Sequence, residues 1–207
     1  MGTTTPELDE AARAIFARSA MPIAFCGVFP GNKLPPVLLN EFITPPINTG
    51  ATAKSMCCIL NTDPSFMDGT HWVALYREPY SPLEFFDSLG SPPSAYGFHF
   101  PDSCQFNNQP LQSFTSSLCG EYCLLFLYLR SLYTLETTRS LPKSKFRQTC
   151  SKLADLAYSC PKRDVIVRKF YNSIRKAIPL HTHHSQVLSV LHYTLDKHPA
   201  LTTHSYC

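Results

Sequence analysis

Gln112 and Cys119 stand at the two ends of a polar loop, with Ser113-Phe114-Thr115-Ser116-Ser117-Leu118 between them. That layout suits a thiol nucleophile beside its oxyanion hole. Cys119 lies where the loop gives way to Tyr122-Cys123-Leu124-Leu125-Phe126-Leu127-Tyr128-Leu129, apolar or aromatic on every face. Such a run predicts a helix buried on all sides. A cysteine in its first turn meets unpaired backbone N–H groups and the positive end of the helix dipole, which favour thiolate over thiol. The structural alternative is inert packing, since cysteine is among the residues most often buried.

The residues upstream supply partners for the sulfur. His71 begins one strand-like run and Asp87 ends the next. Antiparallel neighbours bring such positions side by side at one sheet end, where the carboxylate can fix the imidazole's tautomer and orientation. If that end faces the start of the buried helix, His71 takes the Cys119 proton and a thiolate–imidazolium pair results. The Gln112 amide and the Cys119 backbone N–H then face the developing oxyanion, each such donor being worth about 3 kcal/mol of barrier. Gly120 is expected to leave room for a substrate backbone. Taken singly, His71 could be a satisfied histidine, Asp87 a turn former and Gln112 a loop amide; their order and contexts favour the catalytic reading.

The elements that must position these groups are legible in outline. Thr5-Pro6-Glu7 reads as a helix start, with Thr5 as cap, and the helix runs to about Arg18. Strands are expected at 23–29, 55–60, 71–76 and 83–87, with an edge strand near Gln105. Pro79 to Pro82 suits a hairpin-like connection, and 30–50, with five prolines, an irregular loop. Helices follow at 119–133, 146–158, 163–177 and 185–197, the last two starting at Asp164 and Ser185. The fold class is α+β, a central mixed or antiparallel sheet flanked by helices. Residues 1–138 form the catalytic core, and 139–207 a basic helical part packed with it as one domain.

The net charge of +3 conceals an asymmetry: 1–138 carry six Lys or Arg against twelve Asp or Glu, whereas 139–207 carry twelve against three. The basic last third fits an acidic partner such as nucleic acid, or simply a solvated helical face. Nine cysteines without a C-x-x-C pair read as mostly free thiols in a reducing compartment. No four-ligand metal set has workable spacing; the cluster His181, His183, His184 comes nearest, and no metal is expected. No apolar run is long enough to span a membrane, and Ser19 to Phe29, broken by Pro22, is a poor secretion signal.

Thr70-His71-Trp72, Phe86-Asp87-Ser88-Leu89-Gly90 and Gln112…Cys119-Gly120, in this order, resemble the adenain family of viral cysteine proteases. The relatives in Maverick/Polinton transposons and adintovirus-like viruses fit especially well, and the wider clan includes SUMO-specific proteases. Phe25-Cys26-Gly27-Val28-Phe29 and Cys58-Ile59-Leu60-Asn61-Thr62-Asp63 extend the likeness upstream, so that it covers about 22–133. The resemblance implies a papain-like fold with the catalytic order His71, Asp87, Gln112, Cys119, and Trp72 packed beside the histidine. Asp87 stands where adenain carries Glu and the SUMO proteases carry Asp, and the stretch from acid to glutamine is shorter than in adenain. The implied activity is a monomeric endopeptidase that cuts capsid and core precursors in the host nucleus and the virion, with no small-molecule cofactor. Stimulation by DNA and by a small disulfide-linked viral peptide is implied too. Candidates for DNA are Lys162, Arg163, Arg168, Lys169, Arg175 and Lys176, and the candidate for the peptide disulfide is Cys104. Two other readings stand beside this one: a protease of ubiquitin-like conjugates, and a catalytically silent DNA-binding structural protein.

Overall fold

The computed structural model describes residues 2–16, 23–39, 55–135 and 144–177. The expected helix at 185–197 with its Ser185 start, and His181, His183 and His184, lie outside the described residues. The first helix, α1 (Thr5–Phe16), is capped one residue earlier than expected. Glu7 reaches back to accept from both the backbone N–H and the hydroxyl of Thr4, at 3.0 and 2.9 Å. That is the returning half of a capping box, and the Thr4 bonds hold the Glu7 carboxyl below its usual range.

Five strands form one mixed sheet in sequential order: β1 (Ile23–Phe29), β2 (Ser55–Asn61), β3 (Trp72–Arg77), β4 (Glu84–Phe86) and β5 (Gln105–Phe106). The outer pairs are parallel and the inner pairs, β2 with β3 and β3 with β4, are antiparallel. Successive residues point to opposite faces of a strand, and here both faces are covered. Cys57, Ile59, Ala74, Tyr76 and Phe86 face one core. Cys58, Leu60, Val73, Leu75 and Phe85 face a second, closed by Leu38 of the short helix α2 (Pro36–Leu39) and by Phe98. Two-sided burial is why β2 reads as an unbroken apolar run rather than an alternating one.

The first core is built around α3 (Cys119–Leu135), whose residues Tyr122 to Leu129 are all buried. The sheet covers it on one side. Around the rest lie α1, α4 (Lys145–Asp155) and α5 (Cys160–Ala177), through Leu8 and Ile15, Phe146 and Leu153, and Val167 and Phe170. α5 starts at Cys160 rather than Asp164. Pro161 is tolerated there because a first-turn N–H has no helical partner to lose. Asp164 is thereby inside the helix, facing the site. Near the other end of α3, Arg130 is buried and bridges to Glu84 with two 2.8 Å bonds and to Glu78 with one of 3.1 Å. Its guanidinium also lies over the Tyr76 ring at 4.4 Å.

Candidate active site

His71 precedes β3 and Asp87 follows β4, and the antiparallel register of Ala74 with Phe86 sets them on one face of the sheet end. His71 Nε2 and Asp87 Oδ1 are 2.6 Å apart. Nδ1 is the ring nitrogen that Asp87 leaves free, and the Cys119 thiol also acts on this imidazole. Burial alone lowers the His71 pKa. The bonds and charges of Asp87 and Cys119 outweigh that and raise it to about 9. Asp87 moves the other way: burial raises its pKa, but the His71 bond and charge and the backbone donors bring it below the ordinary carboxyl value.

Asp87 acts as a turn former and pairs with His71 as well. Oδ1 also accepts from the Leu89 N–H at 2.9 Å, an Asx-turn contact, and Oδ2 accepts from the Ser91 N–H at 2.8 Å. Tyr96, in the 3₁₀ turn Pro93–Tyr96, donates its hydroxyl to Oδ2 at 2.9 Å and stacks on the His71 ring at 5.6 Å between centroids. Asn107 brackets the backbone: its Oδ1 accepts from the Asp87 N–H at 2.9 Å, and its Nδ2 donates to the Asp87 carbonyl at 2.6 Å. Neither Tyr96 nor Asn107 carries a sequence signal, because tertiary packing alone brings them to the acid.

Cys119 is the first residue of α3 and is 8% exposed. The Leu118 carbonyl accepts from the Tyr122 N–H at 2.9 Å, so the Cys119 N–H falls among the first-turn donors that have no helical partner. Gln112 is buried on the approach loop. Its Oε1 accepts from the Ser88 hydroxyl at 2.7 Å, and its Nε2 donates to the Ser116 carbonyl at 2.6 Å. The Ser88 carbonyl in turn accepts from the N–H groups of Leu111 and Gln112, at 2.8 and 3.0 Å. This approach requires Gly90, which has φ +77°; a Cβ there would come within 2.6 Å of the Gln109 carbonyl carbon.

Gly120 serves packing rather than substrate access, contrary to expectation. A Cβ there would meet Leu8 Cδ2 at 2.8 Å, so the glycine lets α1 close against the first turn of α3. Trp72 is half-buried against the first core and donates its indole N–H to the Thr3 carbonyl at 3.2 Å. Arg163 is withdrawn from the expected basic face. It is buried, and donates to the carbonyls of Leu111, Ala154 and Ala157 at 3.0, 3.0 and 2.7 Å, because the C-terminus of α4 and the approach loop offer it unpaired oxygens. Lys162, Arg168, Lys169, Arg175 and Lys176 are exposed on α5, with Arg175 also 3.2 Å from Glu7. Cys104 is half-buried, and burial followed by the Glu84 charge pushes its thiol up to about 11, a poor setting for disulfide exchange.

No family model matches the chain. The similarities found by sequence are to proteases of adenoviruses, which bears out the resemblance to adenain. The protease of Snake adenovirus serotype 1 is 34% identical over 98 residues, 38% of this chain and 49% of the relative. That of Bovine adenovirus C serotype 10 is 32% identical over 94 residues, 36% and 48% respectively. The matched region thus spans about half the length of these curated relatives. Among solved structures, the central domain of uncharacterized Lpg1148 protein from Legionella pneumophila covers 84% of this chain and 99% of its own. Its TM-score is 0.44 at 12% identity, a likeness too slight to define the fold.

Proposed function

We propose that the chain is a cysteine endopeptidase of the adenain type, with a papain-like fold, that cleaves capsid and core precursor proteins during virion maturation. One observation carries this reading: an imidazole bonded to a buried carboxylate at 2.6 Å, with a thiol at a helix start that acts on the same ring. With its pKa raised to about 9, His71 is an imidazolium at neutral pH and stabilises the Cys119 thiolate. The thiolate attacks the scissile carbonyl carbon, forming a C–S bond while the carbonyl oxygen takes the charge. The Cys119 N–H and the second N–H of Gln112 Nε2 stabilise that oxyanion. His71 Nδ1 gives its proton to the leaving amine as the C–N bond breaks. Neutral again, it takes a proton from the water that attacks the thioester, and the acid product leaves as the thiolate–imidazolium pair re-forms.

The exposed lysines and arginines of α5 fit salt-sensitive phosphate contacts with DNA, Arg163 excepted. The expected setting is the host nucleus and the virion. The test is cleavage of the cognate precursors by the native chain and by Cys119→Ala, beside labelling with a peptide vinyl sulfone. Loss of cleavage in the variant and labelling confined to Cys119 are expected. Unchanged cleavage in Cys119→Ala overturns the reading, and preferential cleavage of a SUMO fusion over the precursors reassigns the substrate.

A further inference from the structure

Gln112 is the least anchored member of the site by sequence, since it sits on a loop rather than on a strand or helix. In the structure its two chain neighbours are gripped by α5. On one side, the Ser113 hydroxyl donates to Asp164 Oδ2. On the other, the Leu111 carbonyl accepts from Arg163 Nε at 3.0 Å and from the Tyr122 hydroxyl at 3.0 Å. The same tyrosine hydroxyl lies 2.9 Å from Asp164 Oδ1, so one proton is shared between the loop and the helix. Tyr122 is fully buried and belongs to the first turn of α3, three residues after Cys119. The loop is thus tied at once to α5 and to the helix that bears Cys119.

We propose that Asp164, seconded by Arg163, is a positioning residue for the Gln112 amide, fixing through Ser113 and Tyr122 where that amide points relative to Cys119. This rests on the reading of Gln112 as an oxyanion donor. Ser88 and Ser116 hold the amide itself, and the ties at Ser113 and Leu111 hold the backbone on either side of it, so loss of either tie lets the amide shift with the loop. Donors aimed at a developing charge lose their effect steeply with misplacement. Asp164 touches neither the sulfur nor the imidazole in this arrangement, so its removal leaves the thiolate–imidazolium pair alone.

The test uses the full chain and two perturbations, Asp164→Ala and the milder Ser113→Ala, each also placed in a Gln112→Ala background. Activity is read on the best-cleaved member of a fluorogenic peptide library. Cys119 alkylation by iodoacetamide is read in parallel, because displacement at its sp³ carbon needs a thiolate but builds no oxyanion. Each single variant is expected to lower kcat by about tenfold, with KM within about twofold and alkylation unchanged. Ser113→Thr, which keeps the hydroxyl, is expected to retain activity, and neither loss recurs once Gln112 is alanine. Unchanged kcat, an equal loss in the Gln112→Ala background, or a parallel fall in alkylation overturns the positioning role. If the native chain shows no cleavage that depends on Cys119, the reading of the site fails, and this proposal with it.

Discussion

Asp87→Asn removes one charge from the acid and hardly changes its shape. The carboxylate accepts from four donors: the His71 ring and the Leu89 N–H on Oδ1, and the Ser91 N–H and the Tyr96 hydroxyl on Oδ2. An asparagine has one accepting oxygen. Turned toward His71, it sets its NH₂ against the Ser91 N–H, which cannot reverse. Turned away, it offers the imidazole a donor, and His71 must then carry its proton on Nδ1, where it cannot take the Cys119 proton. Both placements also lose the negative charge that keeps the imidazolium protonated. The removal of an opposite charge at this range returns a pKa by about 1–3 units, each worth about 1.4 kcal/mol. The His71 value of about 9 therefore falls toward or below its ordinary 6.5, since burial still acts. Relative to the native pair, roughly 1.4–4 kcal/mol of ion-pair stability goes with it.

The assays are the pH profile of kcat/KM and the pH dependence of Cys119 alkylation by iodoacetamide. Native activity is expected to fall as pH rises through about 9, where the imidazolium is lost as general acid. In the variant that limb moves acidward by about one unit or more, and kcat falls by about a hundredfold or more. Stability follows the same sign. A raised histidine pKa stabilises the fold fully below 6.5 and loses that contribution as pH rises through about 9, and the variant lacks this loss. The lowered pKa of Asp87 stabilises the native chain above the ordinary carboxyl value and is lost as pH falls through the depressed one. An alkaline limb that stays in place, with kcat within threefold of native, refutes the argument.

Gln112→Ala is expected to lower kcat by about 10²–10³ while iodoacetamide still alkylates Cys119 at the native rate. Gly120→Ala presses a methyl group to within 2.8 Å of the buried Leu8 side chain. It should cost about 1–3 kcal/mol in urea unfolding, partly recovered by Leu8→Val in the same chain. Arg130→Met strands the Glu84 carboxylate inside the protein and should cost about 3–5 kcal/mol, whereas Arg130→Met with Glu84→Leu costs clearly less. Calorimetry or denaturant midpoints at fixed pH check both.

What the sequence showed depended on how local each feature is. Strands buried on both faces and a helix apolar all round write their burial into consecutive residues, so β2, β3 and α3 are legible without coordinates. His71, Asp87, Gln112 and Cys119 could be singled out because their side chains are of reactive or hydrogen-bonding types beside a strand, on the approach loop or at a helix start, and the structure sets His71 against Asp87 and Gln112 against Ser88. Tyr96, Asn107, Ser88 and Asp164 were not: they hold that chemistry by contacts across long stretches of chain, and nothing near them in sequence marks the partner. Arg163 was misread for the same reason. A cationic face of α5 and a guanidinium turned inward onto carbonyls look alike in sequence, and only the position of the approach loop distinguishes them. Gly120 was assigned to the substrate because the neighbour that fills its space, Leu8, lies on the far side of the sequence.

Four consecutive residues couple the parts of the site. Asp87 fixes the imidazole, the Ser88 hydroxyl and carbonyl fix the Gln112 side chain and backbone, and the positive φ of Gly90 lets the chain at Gln109 and Pro110 pass close enough for both. The His71 ring and the Gln112 amide are therefore both held from one turn, with Leu89 supplying a further N–H to the carboxylate. A distortion of this turn moves both groups together relative to Cys119, which is carried separately by α3. Gly90→Ala joins an unfavourable left-handed conformation to a 2.6 Å approach against backbone, which cannot turn aside as a side-chain tip can. It should therefore damage alkylation by iodoacetamide and turnover alike, where Gln112→Ala touches turnover alone. Alkylation at the native rate in a folded Gly90→Ala chain, with turnover reduced, would mean that His71 and Gln112 are mounted independently.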